Sequence, residues 1–321
     1  MAPEPATAAP RFGLIGLGRM GAPMAAAICR AGLTLAVHDR VPAVTAEVAA
    51  DTGAQACASV AELAAASDVV VTMLPNGAAV RSVVLGAGDG DRGVAGELAA
   101  GGLVVDMSSS SPGETRSLGE ALAAQGLALV DAPVSGGVER ALSGRLAVMV
   151  GGEDADVVRA TPVFEAVGET VLRCGSLGCG HAAKALNNAV SSAGLIAAGE
   201  ALLVGQRHGV APEVLVDVLN ASTGRNNATE RKLRQFVLSR TFASGFELDL
   251  MVKDLRIALA MAVDAEVAPG LTAQTLVAAG GAQACLDPGA DHTSVIQWLE
   301  RQAGTELEGS APDATSRPAV R

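Results

Sequence analysis

Phe12-Gly13-Leu14-Ile15-Gly16-Leu17-Gly18-Arg19-Met20-Gly21 is the stretch that decides the fold of this chain. A short apolar run passes directly into Gly-x-Gly-x-x-Gly, and Ala-rich, helix-favouring sequence follows. Gly16 permits a tight turn. Gly18 removes a side chain where a pyrophosphate must approach the backbone, and Gly21 lets a helix pack on the strand. Leu17, Arg19 and Met20 complete the turn and are expected to bind the cofactor with it, and the helix N-terminus then faces the anion. A second apolar run ends at Asp39, about 20 residues beyond the glycines, where an acid that binds ribose hydroxyls belongs. That context favours a dinucleotide site over a purely structural turn. A carboxylate at Asp39 repels a 2′-phosphate, whereas Arg40 beside it would welcome one. The acid holds the strand-end position itself, so NAD is expected, with NADP as the alternative.

Outward from this turn, β-branched runs at 12–15, 35–37, 68–74, 103–106, 128–130, 146–150 and 170–172 alternate with Ala-rich stretches. Such alternation predicts an α/β fold with a parallel, doubly wound sheet of the Rossmann type, its strands apolar on both faces. After Gly180 the strands stop. A helix is expected over 181–209, and helical patterns punctuated by Pro212, Gly224, Gly245, Pro269 and Pro288 continue to about 302. The predicted organisation is a dinucleotide-binding domain at 11–174 and an all-helical substrate and oligomerisation domain at 175–303. The Pro-, Ser- and acid-rich ends, 1–10 and 304–321, read as disordered.

The composition bounds the partners. The formal net charge is −11, which argues against nucleic acid and anionic membrane surfaces, so an anionic substrate needs local attraction. No apolar run approaches the roughly 18–20 residues of a membrane span, and the start does not read as a signal peptide, so a cytoplasmic location is expected. With five Phe, one Trp and no Tyr, the core must be aliphatic. The five cysteines read as reduced thiols, and Cys174 and Cys179 lack the companions that zinc requires, so no metal is expected.

Lys184 and Asn188 lie four residues apart on one helix and share a face. Gly178 and Gly180 before them would let the chain approach a ligand closely. A lysine among alanines is most often a surface charge; buried, it would suit proton exchange near neutrality. His181 sits on the same side as Lys184 and could relay protons or cap the helix start; the cap is the simpler role. His38, His208 and His292 have no partner that the sequence identifies.

Five segments together carry a resemblance: GLIGLGRMGAPMA (13–25), DMSSSSP (106–112), DAPVSGGVERALSGRLAVMVGG (131–152), GCGHAAKALNN (178–188) and FELDLMVKDLRIAL (246–259). In order and content they resemble the 3-hydroxyacid dehydrogenases, a group that includes 3-hydroxyisobutyrate dehydrogenase and tartronate semialdehyde reductase. The resemblance implies an NAD(P)-dependent oxidoreductase acting on a small 3-hydroxy acid or semialdehyde acid, assembled as a homodimer or homotetramer. It also implies roles. Gly16, Gly18 and Gly21 would bind pyrophosphate, Leu74 and Pro75 would line the cofactor, and Ser109 would sit near the nicotinamide ribose. Ser135, Gly136 and Gly137 would hold the substrate carboxylate. Lys184 would be the general acid/base, Asn188 would position it or the substrate, and Lys253 would reach the cofactor.

The match has departures. Ala79 stands where some members carry a cofactor-contacting Asn, and His181 makes the lysine motif similar to that of the 6-phosphogluconate dehydrogenases. Residues 222–227, Ser-Thr-Gly-Arg-Asn-Asn, match no one activity. A decarboxylating 6-phosphogluconate dehydrogenase is therefore an alternative, but it needs a basic cluster of which only Arg225 is visible. An imine reductase usually lacks the Lys-x-x-x-Asn pair. A non-catalytic nucleotide-binding module would not need that pair.

Overall fold

The computed structural model describes residues 10–88 and 90–309. The chain forms two compact units, Met1–Lys184 and Ala185–Arg321. The first carries β1 (Phe12–Ile15), β2 (Leu35–His38), β3 (Gln55–Ala56), β4 (Val69–Thr72), β5 (Leu103–Asp106), β6 (Ala128–Asp131), β7 (Val134–Ser135), β8 (Leu146–Gly151) and β9 (Gly168–Gly175). Its helices are α1 (Gly21–Arg30), α2 (Pro42–Thr52), α3 (Val60–Ala65), α4 (Gly77–Leu85), α5 (Pro112–Ala123), α6 (Gly137–Leu142) and α7 (Asp154–Val167).

The strands form one sheet in the order β3-β2-β1-β4-β5-β6-β8-β7, with β9 on β8. From β3 to β6 every neighbour is parallel. The chain order reverses between β1 and β4, and the glycine turn leaves β1 at that point, where open α/β sheets bind ligands. The sheet departs from the all-parallel expectation beyond β6. There β8 runs antiparallel to β6 and to β7. Two-residue β3 and β7 are too short to leave a periodic signal. The strands are not all apolar on both faces either: β9, at the sheet margin, is mostly exposed, including Leu172 at 48%. Two clusters, aliphatic apart from Phe12 and Phe164, cover the sheet faces, one centred on Leu14, Val71 and Val105 and the other on Ile15, Val70 and Val104. Strand alternation places these neighbours on opposite faces. Local signals set the helix starts. Ser111 caps α5 in a reciprocal capping box with Glu114, and Asn76 caps α4.

The second unit is helical. α8 (Cys179–Arg207) begins in the first unit and runs into it, followed by α9 (Pro212–Ala221), α10 (Asn227–Arg231), a π-helical turn at Leu233–Leu238, α11 (Leu248–Asp264), α12 (Gly270–Cys285), a 3-10 turn at His292–Ser294 and α13 (Val295–Ala303). Its core is again aliphatic, built on Leu195, Leu202, Val252, Leu255 and Ile296. By length and composition alone α8 would pass as a membrane span, against the expectation that no segment would; one such helix is weak evidence of a span, and 44% of that window is buried within the protein. Of the tail expected from 304 onward, residues 304–309 are described. There Leu307 is buried and donates its N–H to Glu300, and Gln206 binds both Glu306 O and the Glu308 N–H. The remainder of both expected tails, apart from Pro10, lies outside the described residues.

Candidate active site

The glycine turn is built as its sequence requires. Gly16 has φ +95°, and a Cβ there would lie 2.4 Å from Met73 O. A Cβ on Gly21 would lie 1.8 Å from Gly16 O, so helix and turn close only with glycine. At Gly18 a Cβ would meet nothing within 4 Å, which leaves its backbone open to a ligand. Leu17 is buried, Met20 partly so, and Arg19 is exposed. Asp39 directly follows β2. Its Oδ2 accepts from the Leu17 N–H at 2.9 Å and its Oδ1 from the Val41 N–H at 2.9 Å, while Arg40 is exposed. Turn and acid thus form one hydrogen-bonded rim that fits a dinucleotide.

The strand ends bring further predicted residues alongside. The carboxyl ends of β1, β4, β5 and β6 are in register through Ile15, Thr72, Asp106 and Asp131. Leu74 donates its N–H to Ser108 Oγ at 2.9 Å, which joins the segment of Leu74 and exposed Pro75 to that of half-buried Ser109. Ser135 closes β7, and Gly136 and Gly137 open α6 with φ +140° and +71°, both exposed. A Cβ on Gly137 would meet no atom, so its constraint is backbone conformation alone.

The start of α8 corrects one expectation. Gly180 serves packing on the sheet, since a Cβ there would lie 2.3 Å from Met149 O and 3.0 Å from Asp131 O. Gly178, at φ +91°, lies against Pro112 and Arg116. His181 is no exposed cap. It is buried and contacts Thr115, Ser108, Asp106 and Asp131. Lys184 is partly buried.

In the second unit, Asn188 donates to Asp254 Oδ2 at 2.6 Å, and Lys253 Nζ lies 3.4 Å from Asp254 Oδ1. The sequence reading gave Asp254 no role. A signal existed: Asp254 falls on the buried α11 stripe of Met251, Leu255 and Ala258, where an acid is costly unless paired. Arg225, the one basic residue that suggested a sugar phosphate, is exposed and pairs with Glu230 at 3.5 Å. Among the described residues no group of three His, Cys, Asp or Glu side chains could hold a metal ion.

Two family models cover nearly all of the described chain. The NAD binding domain of 6-phosphogluconate dehydrogenase matches residues 11–175, and the NAD-binding domain of NADP-dependent 3-hydroxyisobutyrate dehydrogenase matches 178–299. The chain is 37% identical to 2-(hydroxymethyl)glutarate dehydrogenase of Eubacterium barkeri, over 93% of this chain and 98% of that one. The chain belongs to the 3-hydroxyacid dehydrogenase family. It is also 37% identical to 3-hydroxyisobutyrate dehydrogenase of Pseudomonas aeruginosa, over 89% of this chain and 97% of the other. A solved Mycobacterium tuberculosis 3-hydroxyisobutyrate dehydrogenase with L-serine superposes with a TM-score of 0.81 at 31% identity, covering 90% of this chain and 99% of that one. This member is therefore a nicotinamide-dependent oxidoreductase of small hydroxy acids, using NAD or NADP, with the Rossmann-type sheet and helical C-terminal region of its relatives.

Proposed function

We propose that this dehydrogenase oxidises a 3-hydroxy acid to its semialdehyde, and can run the reverse reduction, with Lys184 as the residue that exchanges the hydroxyl proton. The observation that carries the proposal is the fixed turn of α8: Lys184 lies one turn before Asn188, whose amide is anchored on the buried Asp254 carboxylate. Gly16, Gly18 and Gly21 hold the pyrophosphate and Asp39 the adenosine ribose, with Leu74, Pro75 and Ser109 along the cofactor. Asp39 makes NAD the preferred form. The bound nicotinamide supplies the hydride acceptor. Ser135, Gly136 and Gly137 hold the substrate carboxylate through a hydroxyl and backbone N–H groups, the local anion attraction that an acidic chain needs. Lys184, as a free amine, takes the hydroxyl proton while the carbon–hydrogen bond breaks and the carbonyl forms; as an ammonium it returns that proton in reduction.

The substrates in the two relatives' names, and L-serine, share a hydroxymethyl group on the carbon that bears the carboxylate or its amino-acid equivalent. That pattern is the substrate class proposed here. The protein works in the cytoplasm as a homo-oligomer. Exposed Leu186, Val190, Val263, Leu271 and Val277 on the second unit's helices supply the apolar surface for assembly. Steady-state turnover on a panel of hydroxymethyl carboxylates with NAD and NADP tests this function. Turnover confined to imines or to 6-phosphogluconate would overturn it.

A further inference from the structure

Three buried ionisable groups of the first unit have no part in that scheme. Asp106, Asp131 and His181 are 2%, 0% and 1% exposed. Asp106 ends β5, Asp131 ends β6, and the two are register partners. Asp106 Oδ1 accepts from Thr72 Oγ1 at 3.0 Å and the Ser108 N–H at 2.9 Å, and its Oδ2 accepts from Ser110 Oγ at 2.7 Å. Asp131 accepts the Gly178 N–H at Oδ1 and the His181 N–H at Oδ2, each at 2.7 Å. Every oxygen of both side chains is matched to a donor, which is how a buried carboxylate is held as an anion.

The His181 ring faces both acids. Nε2 lies 3.7 Å from Asp106 Oδ2, and Nδ1 lies 3.7 Å from Asp131 Oδ2. Nε2 is also 3.1 Å from Ser108 O, a carbonyl that can only accept, so Nε2 carries a proton. Nδ1 is 2.8 Å from Thr115 Oγ1, and the single hydroxyl proton of Thr115 has its own acceptor in Ser111 O at 2.9 Å. A proton on Nδ1 therefore completes the set without a clash of donors. A neutral ring would leave the two buried carboxylates without an ion pair among the described residues, the arrangement that interiors avoid. Burial raises the Asp131 carboxyl above its ordinary value, and a positive charge on His181 would act against that push.

We infer that His181 is a buried imidazolium bridging the Asp106 and Asp131 carboxylates, and that it acts as a positioning residue locking the Ser108–Ser111 turn to the first turn of α8. Ser108 also receives the Leu74 N–H, so one clamp holds the segments of Leu74, Ser109 and Lys184 together. The kinetic consequence rests on the roles proposed for Lys184 and Ser109; the charge state does not.

The test is 15N NMR of the histidine rings of the full-length protein at pH 7, with His181→Gln identifying the signal by its loss among four histidines. The expected spectrum shows both ring nitrogens of His181 bearing protons. A lone-pair nitrogen at pH 7 would overturn the imidazolium. Thr115→Val keeps the shape of the site and serves if His181→Gln does not fold. It shifts the His181 signal, and the ring stays doubly protonated because Asp131 remains beside Nδ1. Folded His181→Gln, or His181→Asn in its place, should lower kcat by about a hundredfold, the cost of a misplacement near 1 Å, with KM changed by less than about threefold. Unchanged kcat in a folded His181 variant would overturn the positioning role. A silent Lys184→Ala substitution would instead strike the proposed function and leave the NMR result standing.

Discussion

The Asp39 carboxylate accepts a hydrogen bond from the Leu17 backbone N–H at 2.9 Å, across 22 residues of sequence. This bond joins the end of β2 to the glycine turn and fixes the acid at the rim proposed for the ribose hydroxyls. The Val41 N–H holds the other oxygen, so the carboxylate cannot swing away to admit a 2′-phosphate without losing both bonds. The expected outcome is a higher kcat/KM with NAD than with NADP. Asp39→Ser should erode that ratio by at least about tenfold, or ~1.4 kcal/mol. A wild-type preference for NADP would assign control of the site to Arg40.

Lys184→Ala is expected to reduce turnover by about 10²–10⁴-fold, the usual contribution of a positioned acid–base group. Folding and dinucleotide binding should survive. Lys184→Arg should not rescue activity, because a guanidinium stays charged near neutrality. Asn188→Ala should cost less, since Lys253 still pairs with Asp254. The wild-type pH–rate profile should contain one ionisation that both lysine variants lack. Near wild-type turnover in Lys184→Ala would end the proposed mechanism.

Gly137 adopts φ +71° with open space beside it. A valine there meets no neighbour but is forced into a backbone region that β-branched residues avoid. Gly137→Val should therefore distort the Ser135–Gly137 turn, raise KM for the hydroxy acid by about tenfold or more, and leave the dinucleotide dissociation constant nearly unchanged. Separate titrations of substrate and cofactor check this. An equal loss in both would remove the turn from the substrate site.

Asp291 provides a stability test in the second unit. Burial alone would raise its carboxyl; hydrogen bonds involving His292 and Thr293 outweigh it and hold the group far below the ordinary carboxylate range. Ser244 and Gly245 donate to the same side chain. A depressed folded-state value stabilises the protein above about pH 4, the unfolded value, and that stabilisation is lost as pH falls toward the folded value. Asp291→Asn should thus lower stability by roughly 1.5–3 kcal/mol at pH 7, with the gap to wild type narrowing below pH 4. Urea unfolding at pH 7, 4 and 3 measures it; a gap independent of pH would refute the electrostatic origin.

Much of the fold was legible because its signals are short-range. The runs at 12–15 and 103–106 became strands with those bounds, and the helix expected over 181–209 appears as Cys179–Arg207. The antiparallel return of β8 was not legible, because strand direction depends on pairing with β6 and β7 rather than on the composition of 146–151. The exposure of β9 was hidden for a similar reason: Val171 and Leu172 look like core, yet they lie on a sheet margin.

The sequence by itself determined the glycine turn, the strand-end acid and the four-residue spacing of Lys184 and Asn188. Each follows from backbone sterics or helical periodicity within a few residues. Only the tertiary structure decided that Leu17 meets Asp39, that Asn188 meets Asp254, and that His181 lies between Asp106 and Asp131. Those partners are 22 to 75 positions apart, and no local pattern encodes them. They meet because parallel strands align their carboxyl ends and helices bury one stripe, and a polar group buried there must find its partner across the fold.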